Sequence, residues 1–219
     1  MIESNFTNSP KESFKIESAF LGQLEYSKAF DIQMHLFELA KEKHQYSIIG
    51  LEHPAVISFG RRAASEMQPD CLIPQIQSSR GGLATVHSEG QLVIYPIIDL
   101  KNFSLGVKSY VCVLLKSTQD FLLDLGVESS VGIENAGLYT SRGKIAFCGI
   151  QIKNGISLHG MSINVRNDLS LFGQIKICGV ENQKLDRLQD YHINMTLKEL
   201  FELWMTHFKS RLEHQISCM

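Results

Sequence analysis

The sequence predicts a mixed α/β domain in which helices pack on an incomplete, mostly antiparallel sheet. Three observations carry this. Strand-like runs flank Asn154-Gly155, a strong short hairpin signal. Three segments have helical apolar spacing, near the start, middle and end. Between them lie short apolar runs punctuated by Pro and Gly. The order is helix, strands, helix, strands, helix.

Residues 1–15 are polar and lack an apolar leader core, so they are expected to form a disordered or loosely docked tail before a single domain over 16–219. Residues 25–44 read as a helix, with Ala29, Ile32, Leu36 and Leu39 on one stripe. Tyr46 to Glu52 and Ala55 to Phe59 read as strands separated by His53-Pro54. Residues 60–80 read as loop-rich, with charges, Met67, Pro69 and Pro74. Gln91 to Ile98 is almost continuously apolar and reads as a buried strand, with Pro96 marking an edge or an end of pairing.

Val107, Tyr110, Val111, Leu114, Phe121, Leu122 and Leu125 give the central helix, which Gly126 ends. Thr196 and Glu199 have capping-box spacing, and Leu200, Trp204, Phe208 and Leu212 continue one face of the last helix. A two-residue turn at Asn154-Gly155 sets Gly149 opposite Gly160, Cys148 opposite Met161 and Phe147 opposite Ser162. Two facing glycines leave a bare patch where a ligand or another backbone can lie close. A β-bulge or a close-packed helix is the structural alternative.

The 219 residues carry a formal net charge of −2, with 44% hydrophobic and 20% charged residues. This is ordinary globular composition and does not favour general nucleic-acid binding. No apolar run is long enough for a membrane helix. The five cysteines, at 71, 112, 148, 178 and 218, are odd in number and show no C-x-x-C pair. A disulfide framework and a zinc site are therefore not expected, and a reducing cytoplasm is the natural setting. No metal and no cofactor are expected. The sequence holds no G-x-x-x-x-G-K-[ST], no G-x-S-x-G and no H-E-x-x-H, which disfavours P-loop, serine-esterase and zinc-protease chemistry.

What remains is a cysteine with cations to activate it. Thiolate is the attacking form, and a free cysteine has a pKa of about 8.5. A nearby ammonium favours the thiolate. Cys178 is followed by Gly179, whose backbone freedom exposes the sulfur; Lys144 and Lys176 are the candidate cations. Arg80-Gly81-Gly82-Leu83-Ala84-Thr85-Val86-His87 reads as a loop that brings backbone to a ligand. The combination points to covalent acyl transfer. Each part also has a structural reading: a buried cysteine, a solvated lysine, a surface turn. Cys71, Cys112, Cys148 and Cys218 are assigned to the structural reading. His87 is either an acid–base group or a loop hydrogen-bonder, and His53 and His159 are open.

In their order these blocks resemble the lipoate-biosynthesis octanoyltransferases. That family's R-G-G-x-x-T-Y-H-G-P-G-Q loop corresponds to Arg80 to Gln91, its K-I-A-x-x-G strand to Lys144 to Gly149, and its H-G-[apolar]-x-x-N-V stretch to His159 to Val165, followed by Cys178-Gly179. Tyr95-Pro96, Asp99-Leu100, Glu134-Asn135 and Asp168 to Phe172 fit as flanks. The likeness runs from about residue 20 to 180.

The resemblance implies a biotin/lipoate ligase-type catalytic domain. It implies that Cys178 takes octanoyl from an acyl carrier protein thioester, with Lys144 beside it. A lysine on the lipoyl domain of a 2-oxoacid dehydrogenase subunit, or on glycine cleavage H protein, then receives the acyl group. Arg80 to His87, Phe147, Cys148, Gly149, Gly160, Met161 and Ser162 match the substrate-contacting segments. Where the family has Tyr-His-Gly-Pro-Gly this chain has Val86-His87-Ser88-Glu89-Gly90, which places a carboxylate at the expected pocket rim. Phe147 and Cys148 stand where smaller residues are expected. The alternatives are an ATP-dependent lipoate–protein ligase, which shares a related R-G-G-x-x-x-x-H loop and does not need Cys178, and a non-catalytic relative that binds lipoyl domains. Retention of Cys178 and Lys144 weighs against the last.

Overall fold

The computed structural model describes residues 15–63, 67, 71–132, 136–175 and 184–217. Cys178, Gly179, Lys176, Glu134, Asn135, Cys218 and all but the last residue of the expected N-terminal tail lie outside the described residues.

In chain order the elements are β1 (Ile16–Gln23), α1 (Tyr26–Lys43), β2 (Tyr46–Glu52), β3 (Val56–Phe59), β4 (Gln75–Gln77), β5 (Ala84–His87), β6 (Gln91–Ile97), α2 (Val107–Asp124), β7 (Ser130–Val131), β8 (Gly137–Tyr139), β9 (Lys144–Lys153), β10 (Ile156–Asn164) and α3 (Leu197–Ser217). Among the described residues, seven strands form one sheet in the order β1-β2-β6-β10-β9-β8-β7, and three form a small sheet, β4-β3-β5. Every pairing in the large sheet is antiparallel except β1 with β2.

The apolar stripes read for α2 and α3 are largely buried, whereas in α1 the buried face is rotated from the expected one: Ile32, Leu36 and Leu39 are only half-buried. In α1, Tyr26, Ala29, Gln33, Phe37 and Ala40 are buried. It packs on β2, β6 and β10, and its Tyr26 hydroxyl meets Ser78 Oγ at 2.8 Å. α2 and α3 pack together, and Trp204 Nε1 donates to Thr118 Oγ1 at 2.9 Å between them. The capping box forms: Thr196 N donates to Glu199 Oε2 at 2.7 Å and Glu199 N to Thr196 Oγ1 at 3.2 Å.

Asn154 and Gly155 both have positive φ, 51° and 86°, as a two-residue hairpin turn with the sheet's twist requires. β9 and β10 pair in the expected register, with Gly149 opposite Gly160, Cys148 opposite Met161 and Phe147 opposite Ser162.

Of the two readings of Pro96, the end of pairing holds and the edge does not. β6 is paired on both sides, with Pro96 opposite Ile48. The break falls on the β10 side. The β10–β6 register stops at Ile94, and the Pro96 carbonyl accepts from Ser157 Oγ at 2.7 Å. The loop-rich 60–80 segment contains β4. The loop expected over Arg80–His87 needs correction: Ala84 to His87 is strand, paired to β3 from Val56 to Phe59. β4 and β5 are three and four residues long, too short for periodicity to announce, and they exist because β3 offers two edges.

Candidate active site

The facing glycines receive a backbone. Gly81 N donates to Ile150 O at 2.8 Å, which docks the Arg80–Gly82 loop on the β9–β10 hairpin. A Cβ on Gly149 would stand 3.3 Å from Arg80 Cδ and 3.5 Å from Gly81 O; one on Gly160 would stand 2.3 Å from Ile94 O. Arg80 is buried by this docking. Its Nε and Nη2 donate to Ser58 Oγ at 3.2 and 2.9 Å, Nη2 also to Ser58 O, and Nη1 to Gly81 O at 3.1 Å.

Lys144 is fully buried. A bulge aims it. Along β8, Tyr139 pairs with Lys144 and Leu138 with Ala146, so Ile145 is one residue too many. The extra residue turns Lys144 onto the same face as Phe147. There Nζ lies 5.2 Å from the Tyr139 ring centroid and 4.8 Å from that of Phe147, a range in which an aromatic face attracts an ammonium. Gly137 makes the room: a Cβ there would stand 2.6 Å from Lys144 Cε. The Lys144 backbone also holds the chain as it resumes at residue 184. Lys144 N donates to Lys184 O at 2.9 Å, and Asp186 N donates to Lys144 O at 3.0 Å.

A buried aromatic and histidine cluster forms a further part of the site. His53 Nδ1 donates to Leu24 O at 2.6 Å, and its Nε2 accepts from the Tyr95 hydroxyl at 2.9 Å. Burial pushes His53 down to about 4 despite the Leu24 carbonyl. His159 has a left-handed backbone, φ 57°, and its Nε2 lies 3.1 Å from Ser79 Oγ. Burial, with the Arg80 charge adding, pushes it down to about 3. His87 is likewise held well below the ordinary histidine value by burial and by the neighbouring His53 and Arg80. All three are neutral near pH 7. That favours the hydrogen-bonding reading of His87 over the acid–base one.

Arg80, His87, Tyr95, Lys144 and His159 meet at one cavity of ≈ 260 Å³, which His53 does not line. Of the residues singled out from sequence, Arg80, Gly81, Gly82, Leu83, Ala84, Thr85 and His87 line it from the small sheet and its loop. Lys144, Phe147, Cys148, Gly149, Gly160, Met161 and Ser162 line it from the hairpin. Val86 does not: alternation along β5 turns it into the small-sheet core with Ile57, Phe59 and Phe172. Glu89 is not at the rim either; it accepts from Gln23 Nε2 at the end of β1. Burial pushes the Cys148 thiol up to about 12, which Lys144 offsets only in part, so it is protonated at neutral pH. Sequence reasoning left out Tyr26, Arg62, Val93, Val111 and Ile150, which also line the cavity. Their side chains are common in any core or surface, and no local signal distinguishes them.

A glycine-rich loop laid across a hairpin, with a buried lysine beside it, forms a walled cavity of the kind that holds a small ligand. Residues 25–209 match the lipoyl protein ligase A/B catalytic domain. The chain belongs to that family and is a transferase of it. It is 32% identical over 193 residues to the octanoyltransferase of Laribacter hongkongensis (strain HLHK9), covering 88% of this chain and 93% of that one. In fold it is similar to lipoate-protein ligase A bound with ATP, at TM-score 0.68 and 14% identity over 91% of this chain and 85% of that chain. It is also similar to the biotin protein ligase of Aquifex aeolicus, at TM-score 0.57 and 13% identity over 94% of this chain and 72% of that chain.

Proposed function

We propose that residues 16–219 form one catalytic domain that moves an octanoyl group from octanoyl–acyl carrier protein to the acceptor lysine of lipoyl domains. These are the lipoyl domains of 2-oxoacid dehydrogenase subunits and glycine cleavage H protein, in the cytoplasm. The transfer passes through a thioester on Cys178. One observation carries the reading. A fully buried lysine, Lys144, stands in the wall of a cavity built from the Arg80–His87 segment and the Gly149–Gly160 hairpin. The octanoyltransferase name of the relatives supports the acyl group chosen.

Cys178 lies three residues after Ile175 and six before Lys184, whose carbonyl is bonded to the Lys144 amide. We assign Lys144 as the cation that favours its thiolate. In the first step the thiolate adds to the thioester carbonyl. The carrier-protein thiolate leaves and takes a proton, and a Cys178 thioester remains. In the second step the acceptor lysine, having lost a proton to solvent, attacks that thioester. An amide forms, Cys178 leaves as thiolate, and the amine's remaining extra proton passes to base. Cys148 is unsuited to this role because burial keeps its thiol protonated.

Intact mass measured after mixing the protein with octanoyl carrier protein, without ATP, tests the reading. An octanoyl adduct that maps to Cys178 and discharges onto a lipoyl domain is expected. No adduct, with lipoyl-domain modification only from octanoate plus ATP, overturns it in favour of a ligase.

A further inference from the structure

Behind the cavity wall a chain of buried side chains runs from Arg80 to Lys144, and every hydrogen bond in it has one assignable direction. Gln91 and Asn164 are fully buried, and neither lines the cavity. Gln91 Nε2 faces two acceptors, Asn164 Oδ1 at 3.0 Å and Val86 O at 3.3 Å. Its Oε1 therefore faces His87 Nδ1, at 2.7 Å, as an acceptor, and the His87 proton sits on Nδ1. His87 Nε2 is then bare and accepts from Ser58 Oγ at 3.4 Å. The Ser58 oxygen in turn is free to accept Arg80 Nε and Nη2.

In the other direction, Asn164 Oδ1 also accepts from Asn167 Nδ2 at 3.2 Å, and Asn164 Nδ2 donates to Asp186 O at 3.0 Å. Asp186 N donates to Lys144 O. The Asp186 carboxylate is itself held by Thr140 Oγ1, by Tyr191 Oη at 2.5 Å and by Arg187 N at 2.9 Å.

We propose that Gln91 is a positioning residue for acyl transfer: it fixes His87 as the Nδ1–H tautomer and, through Ser58 on one side and Asn164 on the other, holds the Arg80 loop and the Lys144 strand at a set separation. Glutamine suits the place because it accepts at one end and donates at the other while carrying no charge. A carboxylate would accept from His87 but could not donate to Asn164, and it would hold a proton on His87. A hydrophobe would take the acceptor from His87 Nδ1 in a buried place, where such a loss is costly, and leave Asn164 Oδ1 with Asn167 Nδ2 alone.

The inference rests on the acyl-transfer reading only for its kinetic arm. The groups facing His87 are Tyr26 from α1, with ring centroids 5.9 Å apart, His53 at 5.5 Å, Ser58 from β3, Arg80 from the loop, His159 from β10 and Gln91 from β6. None is a carboxylate, so Gln91→Glu introduces an interaction those groups lack.

Nitrogen-15 NMR of the histidine rings gives the substrate-free readout. The wild type is expected to show His87 neutral with the proton on Nδ1 from pH 6 to 8. Gln91→Glu is expected to show it protonated over part of that range. The kcat/KM profile of Gln91→Glu with octanoyl carrier protein is expected to gain an acid limb, at least tenfold deep, that the wild type lacks. Loss of fold alone adds no new ionisation. If Gln91→Glu does not fold, Gln91→Met reads the same contact through redistribution of the His87 proton between its two nitrogens. A wild-type proton on Nε2, or Gln91 variants with unchanged rings and unchanged profiles, overturns the inference. A wild type that shows the Nδ1 proton but does not turn over the octanoyl thioester overturns the acyl-transfer reading and leaves the hydrogen-bond chain standing.

Discussion

Gly137 and Lys144 occupy one volume between them: the space a side chain on the glycine would take is filled by the lysine stem, with Cε 2.6 Å from the position of a Cβ. The bulge at Ile145 brings the two onto one face, and the glycine lets the ammonium reach over the Tyr139 and Phe147 rings.

Gly137→Ala is therefore expected to displace Lys144 and strain the β8–β9 pair, since the new Cβ also stands 2.3 Å from Ala146 O. Overpacking of this kind costs about 1–3 kcal/mol. Thermal unfolding and acyl-loading rates should both fall. A variant with wild-type loading would show that the exact place of Lys144 is unimportant.

On the proposed Lys144–Cys178 pairing, Lys144→Met should raise the pH at which Cys178 reacts with iodoacetamide; each tenfold drop in the thiolate-to-thiol ratio corresponds to about 1.4 kcal/mol. Cys148→Ala should leave the pH profile unchanged, because the Cys148 thiol is protonated throughout. The two profiles, read by peptide mass mapping, separate the cysteines. Acyl label on Cys148 and full activity in Cys178→Ala would reverse the assignment.

Gly149→Val pushes its side chain toward Arg80 Cδ and Gly81 O, into the seam between loop and hairpin. If the acyl chain lies along that seam, long donors lose more than short ones, by about 0.8 kcal/mol for each methylene no longer buried. Rates with acetyl, hexanoyl and octanoyl donors measure this directly. Equal losses for all three would move the chain elsewhere.

Stability should fall on the acid side of neutrality. His53 and His159 have folded values depressed to about 4 and about 3, below the unfolded value of about 6.5. Between those limits the unfolded chain binds more protons, so stability is full above about pH 6.5 and declines as pH falls toward the folded values. The loss when each window is crossed is on the order of 3 kcal/mol for His53 and 5 kcal/mol for His159. Melting temperature against pH, for wild type and for His53→Gln, checks the slope. His53→Gln should flatten the decline between pH 6 and 4 relative to wild type.

Much of this protein is written locally. The three helices follow from apolar spacing, and the last one from a capping box that forms as spaced. The hairpin register follows from Asn154-Gly155, because a two-residue turn with positive φ at both positions leaves the strands one way to pair. The facing of Gly149 and Gly160 is therefore legible in the sequence, but what lies on them is not: the Arg80 loop on Gly149 and β6 against Gly160. The rest needs the tertiary structure. Val86 and Thr85 are equivalent in the sequence, and only the place of β5 beside β3 turns one to the core and the other to the cavity. The bulge at Ile145 is decided by β8, a three-residue strand with no pattern of its own, and it alone turns Lys144 inward. His53, His87 and His159 are far apart in the chain and lose their charge only because three elements bury them together. Turn chemistry and periodicity act over a few residues and can be read from them; burial, bulges and polar networks arise between segments, and exist only once those segments have met.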